Sequence, residues 1–196
     1  MNNHQRYWYL DEMVTQSLAA SISYSAMERR LGDPETRQTL LVWTNVSSFL
    51  GHAGIISKIL YPPRQPGQDR AKELKEVLRL PALPYLEDRG GRDNIEHIDE
   101  RIDNWAAKDG AGLVSMVFDN RAGFDYLCTP DKSIRRALIA DDLIYISENR
   151  LGDRVETPLR SLLAEIEIVR DRALEGIQAD PPYHFILASA LQRHGR

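Results

Sequence analysis

The stretch from Pro34 to about Leu60 constrains the fold most, because Leu40, Leu41, Val46, Phe49, Leu50, Ile55, Ile56 and Ile59 spread apolar side chains over a wide arc of one helix. A helix apolar over that much of its circumference needs partners on more than one side, which predicts a central place in a helical bundle. Asp33-Pro34-Glu35 is a start signal, with a capping oxygen, a first-turn proline and an acid at the positive dipole end. Tyr61-Pro62-Pro63 is the stop. Inside the stretch, Ser47, Gly51 and Gly54 form a small-residue strip, and each interior glycine costs ~1 kcal/mol relative to alanine. Such a strip signals close approach of another helix, within the chain or across a dimer. His52 beside it reads as a polar side chain at the edge of the packed face.

The remaining segments supply the partners. Tyr7 to Leu31 reads as a helix with Leu10, Val14, Leu18, Ile22 and Ala26 repeating every four residues, ended by Gly32. Pro62 to Gln68 reads as a loop and about Asp69 to Leu80 as a shorter helix. After Arg89-Gly90-Gly91, a further helix runs from about Arg92 to Lys108-Asp109-Gly110. Its Ile95, Ile98, Ile102, Trp105 and Ala106 share one stripe, expected to be the buried face. Leu113 to Phe118, Leu143 to Ile146 and Val155-Glu156 read as strands, with Arg150 to Asp153 as a turn. Pro158 opens a last helix through about Gly176, with Leu159, Leu162, Leu163, Ile166, Val169 and Ala173 on one face. The expected fold is mainly α: an antiparallel helical bundle (1–110), a small antiparallel β insertion (111–157), a final helix packing on the bundle (158–177) and a tail (178–196).

Composition narrows the chemistry. A net charge of −4 argues against coating nucleic acid non-specifically, which needs many Lys/Arg contacts to phosphates. Cys128 is the single cysteine, which excludes an intrachain disulfide and reads as a small buried apolar residue. No apolar run approaches the ~20 residues that span a bilayer, and Met1 to Arg6 contains no apolar signal core. The expectation is a cytoplasmic chain without membrane contact. Phosphate-binding glycine loops, a nucleophile elbow and Cys-x-x-Cys are all missing, so no cofactor or resident metal is expected.

One constellation remains. Arg92 and His97 stand in an Arg-x4-His arrangement at the start of a helix, with Asp93 four residues before the histidine. RNA cleavage by 2′-hydroxyl attack needs a group that moves protons near neutral pH, which is histidine's ordinary range. It also needs a fixed cation on the phosphate, which a guanidinium supplies in bidentate fashion. Asp93 could set the imidazole tautomer. The arrangement resembles the motif of the HEPN superfamily (higher eukaryotes and prokaryotes nucleotide-binding domain). That motif is an arginine followed by a polar residue and, a few positions on, a histidine, and the resemblance covers about Tyr7 to Lys108. It implies a helical homodimer acting as a metal-independent endoribonuclease, with Arg92, Asp93 and His97 of both copies at a shared site and RNA or a nucleotide as ligand. Asp99 departs from the tyrosine that some toxin-like members carry two residues after the histidine.

Two other readings compete. Asp93, Glu96, Asp99, Glu100 and Asp103 put five carboxylates on the segment Arg92 to Asp103 against two arginines, a field that repels RNA and suits a solvated face or a basic protein partner. A non-catalytic dimeric nucleotide- or protein-binding module would use the same residues. A carboxylate-bridged metal site would draw on Asp93 with His97 and Glu96 with Glu100, but Asn94 replaces the acid that Glu-x-x-His requires.

Overall fold

The structure, a computed structural model, describes residues 1–88, 90, 97–107, 115–128, 136–149 and 153–179, without the side chains of 101, 104 and 105. Among these, seven helices and four strands occur in the order α1 (Asn3–Leu31), α2 (Leu40–Leu60), α3 (Gly67–Val77), α4 (Pro84–Glu87), α5 (Ile98–Ala106), β1 (Ser115–Phe118), α6 (Arg121–Leu127), β2 (Arg136–Ile139), β3 (Ile144–Glu148), β4 (Arg154–Pro158) and α7 (Leu159–Gln178). The molecule is therefore mainly helical, with a small sheet toward its C-terminal end.

α1 begins four residues earlier than the apolar pattern predicts, because Asn2 and Gln5 form a reciprocal capping box. Its buried face carries Tyr7, Leu10, Met13, Val14, Ala20, Tyr24, Met27 and Leu31, spaced by threes and fours. The predicted every-four stripe does not hold: Ile22 is 65 % exposed, and Leu18 and Ala26 are half-buried. Steps of four drift by ~40° each, so a strict four-residue repeat leaves the core face within three steps. α1 is flanked by α2 and α7. Gln16 meets His52 and Ser23 meets Ser48, while Leu10 lies near Gly176 and Glu28 near Arg160. Both neighbours therefore run antiparallel to α1.

α2 starts at Leu40, not Pro34. Asp33 Oδ1 accepts the Glu35 amide, and the Asp33 carbonyl accepts those of Thr36 and Arg37, so the start signal is absorbed in a turn. From that turn Arg37 pairs with Asp119 and Gln38 Nε2 donates to the Val117 carbonyl at 2.9 Å, tying the entry of α2 to the sheet. By length and composition α2 would be long and apolar enough to cross a membrane, contrary to the expectation from apolar runs, yet Val42, Val46, Phe49, Leu50 and Ile56 are buried in the core. α3 ends two or three residues early. Arg79 takes the left-handed conformation (φ 49°), the Leu80 amide reaches back to the Lys75 carbonyl and the Arg79 amide to Glu76, a Schellman closure without glycine.

The sheet has order β1-β2-β3-β4, with β1 parallel to β2 and the other pairs antiparallel. The expected purely antiparallel insertion is thus a mixed sheet. The helix α6 between β1 and β2 is the reason: a parallel pair needs a crossover, whereas a tight turn can only make an antiparallel one. Side chains alternate cleanly across it. Val117, Leu138 and Tyr145 join the main helical core, and Phe118, Ala137, Ile139 and Ile146 pack with Phe124 of α6 in a second, smaller core. Burial pushes the Tyr145 hydroxyl up to about 12. α7 behaves as its pattern predicts, burying Leu159, Leu162, Ile166, Val169 and Ala173, with Leu163 at the margin.

Candidate functional site

His97 stands immediately before α5, its side chain 44 % exposed, with Nδ1 3.5 Å from Glu100 Oε1. Sequence reasoning counted Glu100 among the carboxylates and paired it with Glu96, not with His97; the i, i+3 spacing would have indicated that contact. Arg92 and Asp93 lie outside the described residues, so of the three predicted site residues the structure places only the histidine. The buried isoleucine stripe is not what the described part of α5 shows. Ile98 is half-buried, Ile102 is 52 % exposed and Ala106 is exposed, and none of them joins either core. Periodicity identified an apolar face correctly but not its burial, since the same stripe serves for the core or for an external partner. Asp99, Glu100 and Asp103 on this helix are all exposed.

The chain leading to this segment is held at several points. Glu165 of α7, only 8 % exposed, accepts the amides of Leu86 at 2.8 Å and Tyr85 at 3.2 Å, completing the N-terminal turn of α4 from another helix. Burial pushes its carboxyl up and the two amides pull it down, with burial the larger effect. Ser57 of α2 donates to the Leu86 carbonyl. Further on, Gly90 sits close to β4: a Cβ there would stand 2.5 Å from Val155 Cγ1, so a side chain at this position would make Val155 shift. Gly90 precedes Arg92 by two residues in sequence, so α2, α7 and β4 together fix the approach to the candidate motif.

Other singled-out residues have partners. His52 Nδ1 lies 2.6 Å from Gln16 Oε1, bridging α1 and α2. Cys128 is half-buried, and Arg154 Nη2 donates to its Sγ at 2.8 Å, so it is less secluded than expected. Among the aromatics of the first turns of α1, Tyr7 is buried, Trp8 is 59 % exposed and Tyr9 lies under the Arg70 guanidinium at 4.7 Å. An open recess of about 340 Å³ between α2, α3 and α4, lined by Leu60, Tyr61, Ala71, Lys75 and Glu87 among others, contains none of the candidate residues. Among the described residues no three His, Cys, Asp or Glu side chains converge. No family model, curated protein or solved structure matches the chain.

Proposed function

We propose that the chain is a HEPN-like endoribonuclease that works as a homodimer, cutting RNA without a metal by attack of a 2′-hydroxyl on the adjacent phosphate. His97 takes the hydroxyl proton, Arg92 steadies the phosphate as charge builds, and Asp93 supports the imidazole. As the new P–O bond forms, the 5′-oxygen leaves and collects a proton from the second copy's histidine, yielding a 2′,3′-cyclic phosphate. The observation that carries this reading is the position of His97. It stands half-exposed at the head of a helix outside both cores, where a polymeric substrate can reach it, with a carboxylate at 3.5 Å to orient the ring.

The second reading is a non-catalytic dimeric module of the same fold that binds a nucleotide or a protein; the exposed Asp99, Glu100 and Asp103 around that histidine favour its basic-protein form. Incubating the protein with structured RNA in EDTA separates the two. Cutting that leaves cyclic ends and drops at least 100-fold in His97→Ala supports the enzyme. A variant that cuts as well as the parent removes His97 from the chemistry, and loss of ligand binding without any cutting favours the module.

A further inference from the structure

The recess between α2, α3 and α4 encloses about 340 Å³, within the range of small-molecule sites. Its apolar lining belongs to the core: Leu60 and Ala71 are buried, and Pro62 adds a further apolar wall. Two opposite charges stand on the same walls. Lys75 Nζ lies 4.4 Å from the centre of the Tyr61 ring, a cation–π contact that fixes where the ammonium sits. Glu87, at the end of α4, acts on the hydroxyl of that ring. After burial, its negative charge is the largest cause raising the Tyr61 hydroxyl above its ordinary value, while the Leu83 amide donates to the oxygen and pulls the other way. Among the described residues neither Lys75 nor Glu87 forms a salt bridge, with the other or elsewhere. Gln68 on the wall is already engaged, Nε2 donating to the Pro63 carbonyl and Oε1 accepting from Gln65. The two charges are therefore the groups left to recognise a ligand.

We propose that this recess binds a free α-amino acid with an apolar side chain. The ligand's carboxylate takes the Lys75 ammonium, its ammonium takes the Glu87 carboxylate, and its side chain lies on Leu60, Pro62 and Ala71. A zwitterion complements a positive and a negative group standing apart over an apolar lining, because each end meets its opposite and no charge is left unpaired. A simple anion would bring like charge to Glu87 and a simple cation to Lys75, so both are selected against. A purely apolar ligand would desolvate both charges and give neither a partner. The Tyr61 ring covers one side of the Lys75 ammonium, and the N–H groups on the other side donate to the carboxylate. Since the ring already restrains that long side chain, less freedom is lost when the ligand arrives. His97 does not line the recess, so the proposal goes beyond the cleavage reading and does not depend on it.

Titration calorimetry and amide NMR of the full chain with L-leucine, without RNA, test it. The parent should bind leucine with a Kd at or below about 1 mM, with shifts at the Leu60, Tyr61 and Ala71 amides. L-Alanine should bind roughly tenfold more weakly for want of apolar burial. N-acetylleucine lacks the ammonium and leucinamide lacks the carboxylate, and each should bind the parent about tenfold more weakly than leucine, the low end for charged hydrogen bonds because the site is open. Glu87→Gln should lose about tenfold for leucine and no longer distinguish it from N-acetylleucine, and Lys75→Met should do the same with leucinamide. Circular dichroism checks the fold of both variants, and the analogue comparison on the parent decides the matter if one fails to fold. No heat and no amide shift at about 10 mM leucine overturn the proposal. So do analogues that bind as well as leucine, or leucine binding that neither substitution weakens. Cleavage is not read in this experiment, so its failure is distinguishable from failure of the ribonuclease reading.

Discussion

Replacing Glu165 tests whether a carboxylate borrowed from α7 really completes α4. Alanine removes both acceptors. The Leu86 amide is the serious loss, since that residue is 1 % exposed and water cannot substitute, whereas Tyr85 is 40 % exposed and its amide can be solvated. An orphaned buried donor costs about 1–3 kcal/mol. The space vacated by the side chain adds to this, and relief from burying a charge subtracts. The net expectation for Glu165→Ala is about 2 kcal/mol, or a melting point lower by about 4–8 °C in a chain of this size. Glutamine keeps an oxygen for Leu86, at 2.8 Å in the parent, and loses only the 3.2 Å bond to Tyr85, so it should cost no more than about 1 kcal/mol. Urea unfolding gives the energies, and amide exchange resolves the sites: Tyr85 should exchange faster in both variants, Leu86 only in the alanine variant. The pH dependence has a definite sign. Burial raises the folded carboxyl above its ordinary value, so as pH climbs past that value the unfolded chain loses its proton first. The parent's stability should therefore fall relative to Glu165→Gln as pH rises from about 4.5, and the advantage it holds in acid should disappear. An alanine variant within 0.5 kcal/mol (about the spread of neutral surface changes) of the parent would refute the cap. Equal cost for alanine and glutamine would refute the assignment of the two bonds.

Two further expectations concern the β region. Gly90→Ala should destabilise by about 1–2 kcal/mol, at the low end for overpacking because Val155 can rotate away, and Val155→Ala should absorb most of that cost; strictly additive effects would show that the two do not touch. Tyr145 keeps its proton in the fold up to about 12 but loses it near 10 when unfolded, so it contributes stability below pH 10 that is lost on the way to pH 12, about 3 kcal/mol. Tyr145→Phe should lack that alkaline loss in a pH series of urea melts, and parallel curves for the two proteins would contradict it.

The elements that the sequence made legible are those whose patterning is locally sufficient. α7 shows its buried face because Leu159, Leu162, Ile166, Val169 and Ala173 follow helical spacing with a proline in front. β1 and β3 are short apolar runs between turns. What was not legible depends on long-range partners. Asp33-Pro34 has the chemistry of a helix start, but Arg37 and Gln38 are drawn toward Asp119 and Val117, 82 and 79 residues away, and the helix begins only after them. Similarly, α4 shows no start signal of its own beyond Pro84 because its capping oxygen comes from α7. At the candidate site, spacing alone separated His97 from the apolar stripe. It could not tell whether that stripe faced a core, and it gave His97 the carboxylate four residues before, Asp93, not the one three residues after, Glu100.

The sheet carries a consequence for how copies of this chain can meet. Open β margins invite strand addition and, repeated from molecule to molecule, fibre growth. Here the Val117 carbonyl on β1 is taken by a glutamine side chain, and β4 combines the charged Arg154 and Glu156 with Val155 pressed against Gly90. Both margins are obstructed, one by a hydrogen bond and the other by charge and close packing. Open-ended polymerisation through the backbone is disfavoured on either side.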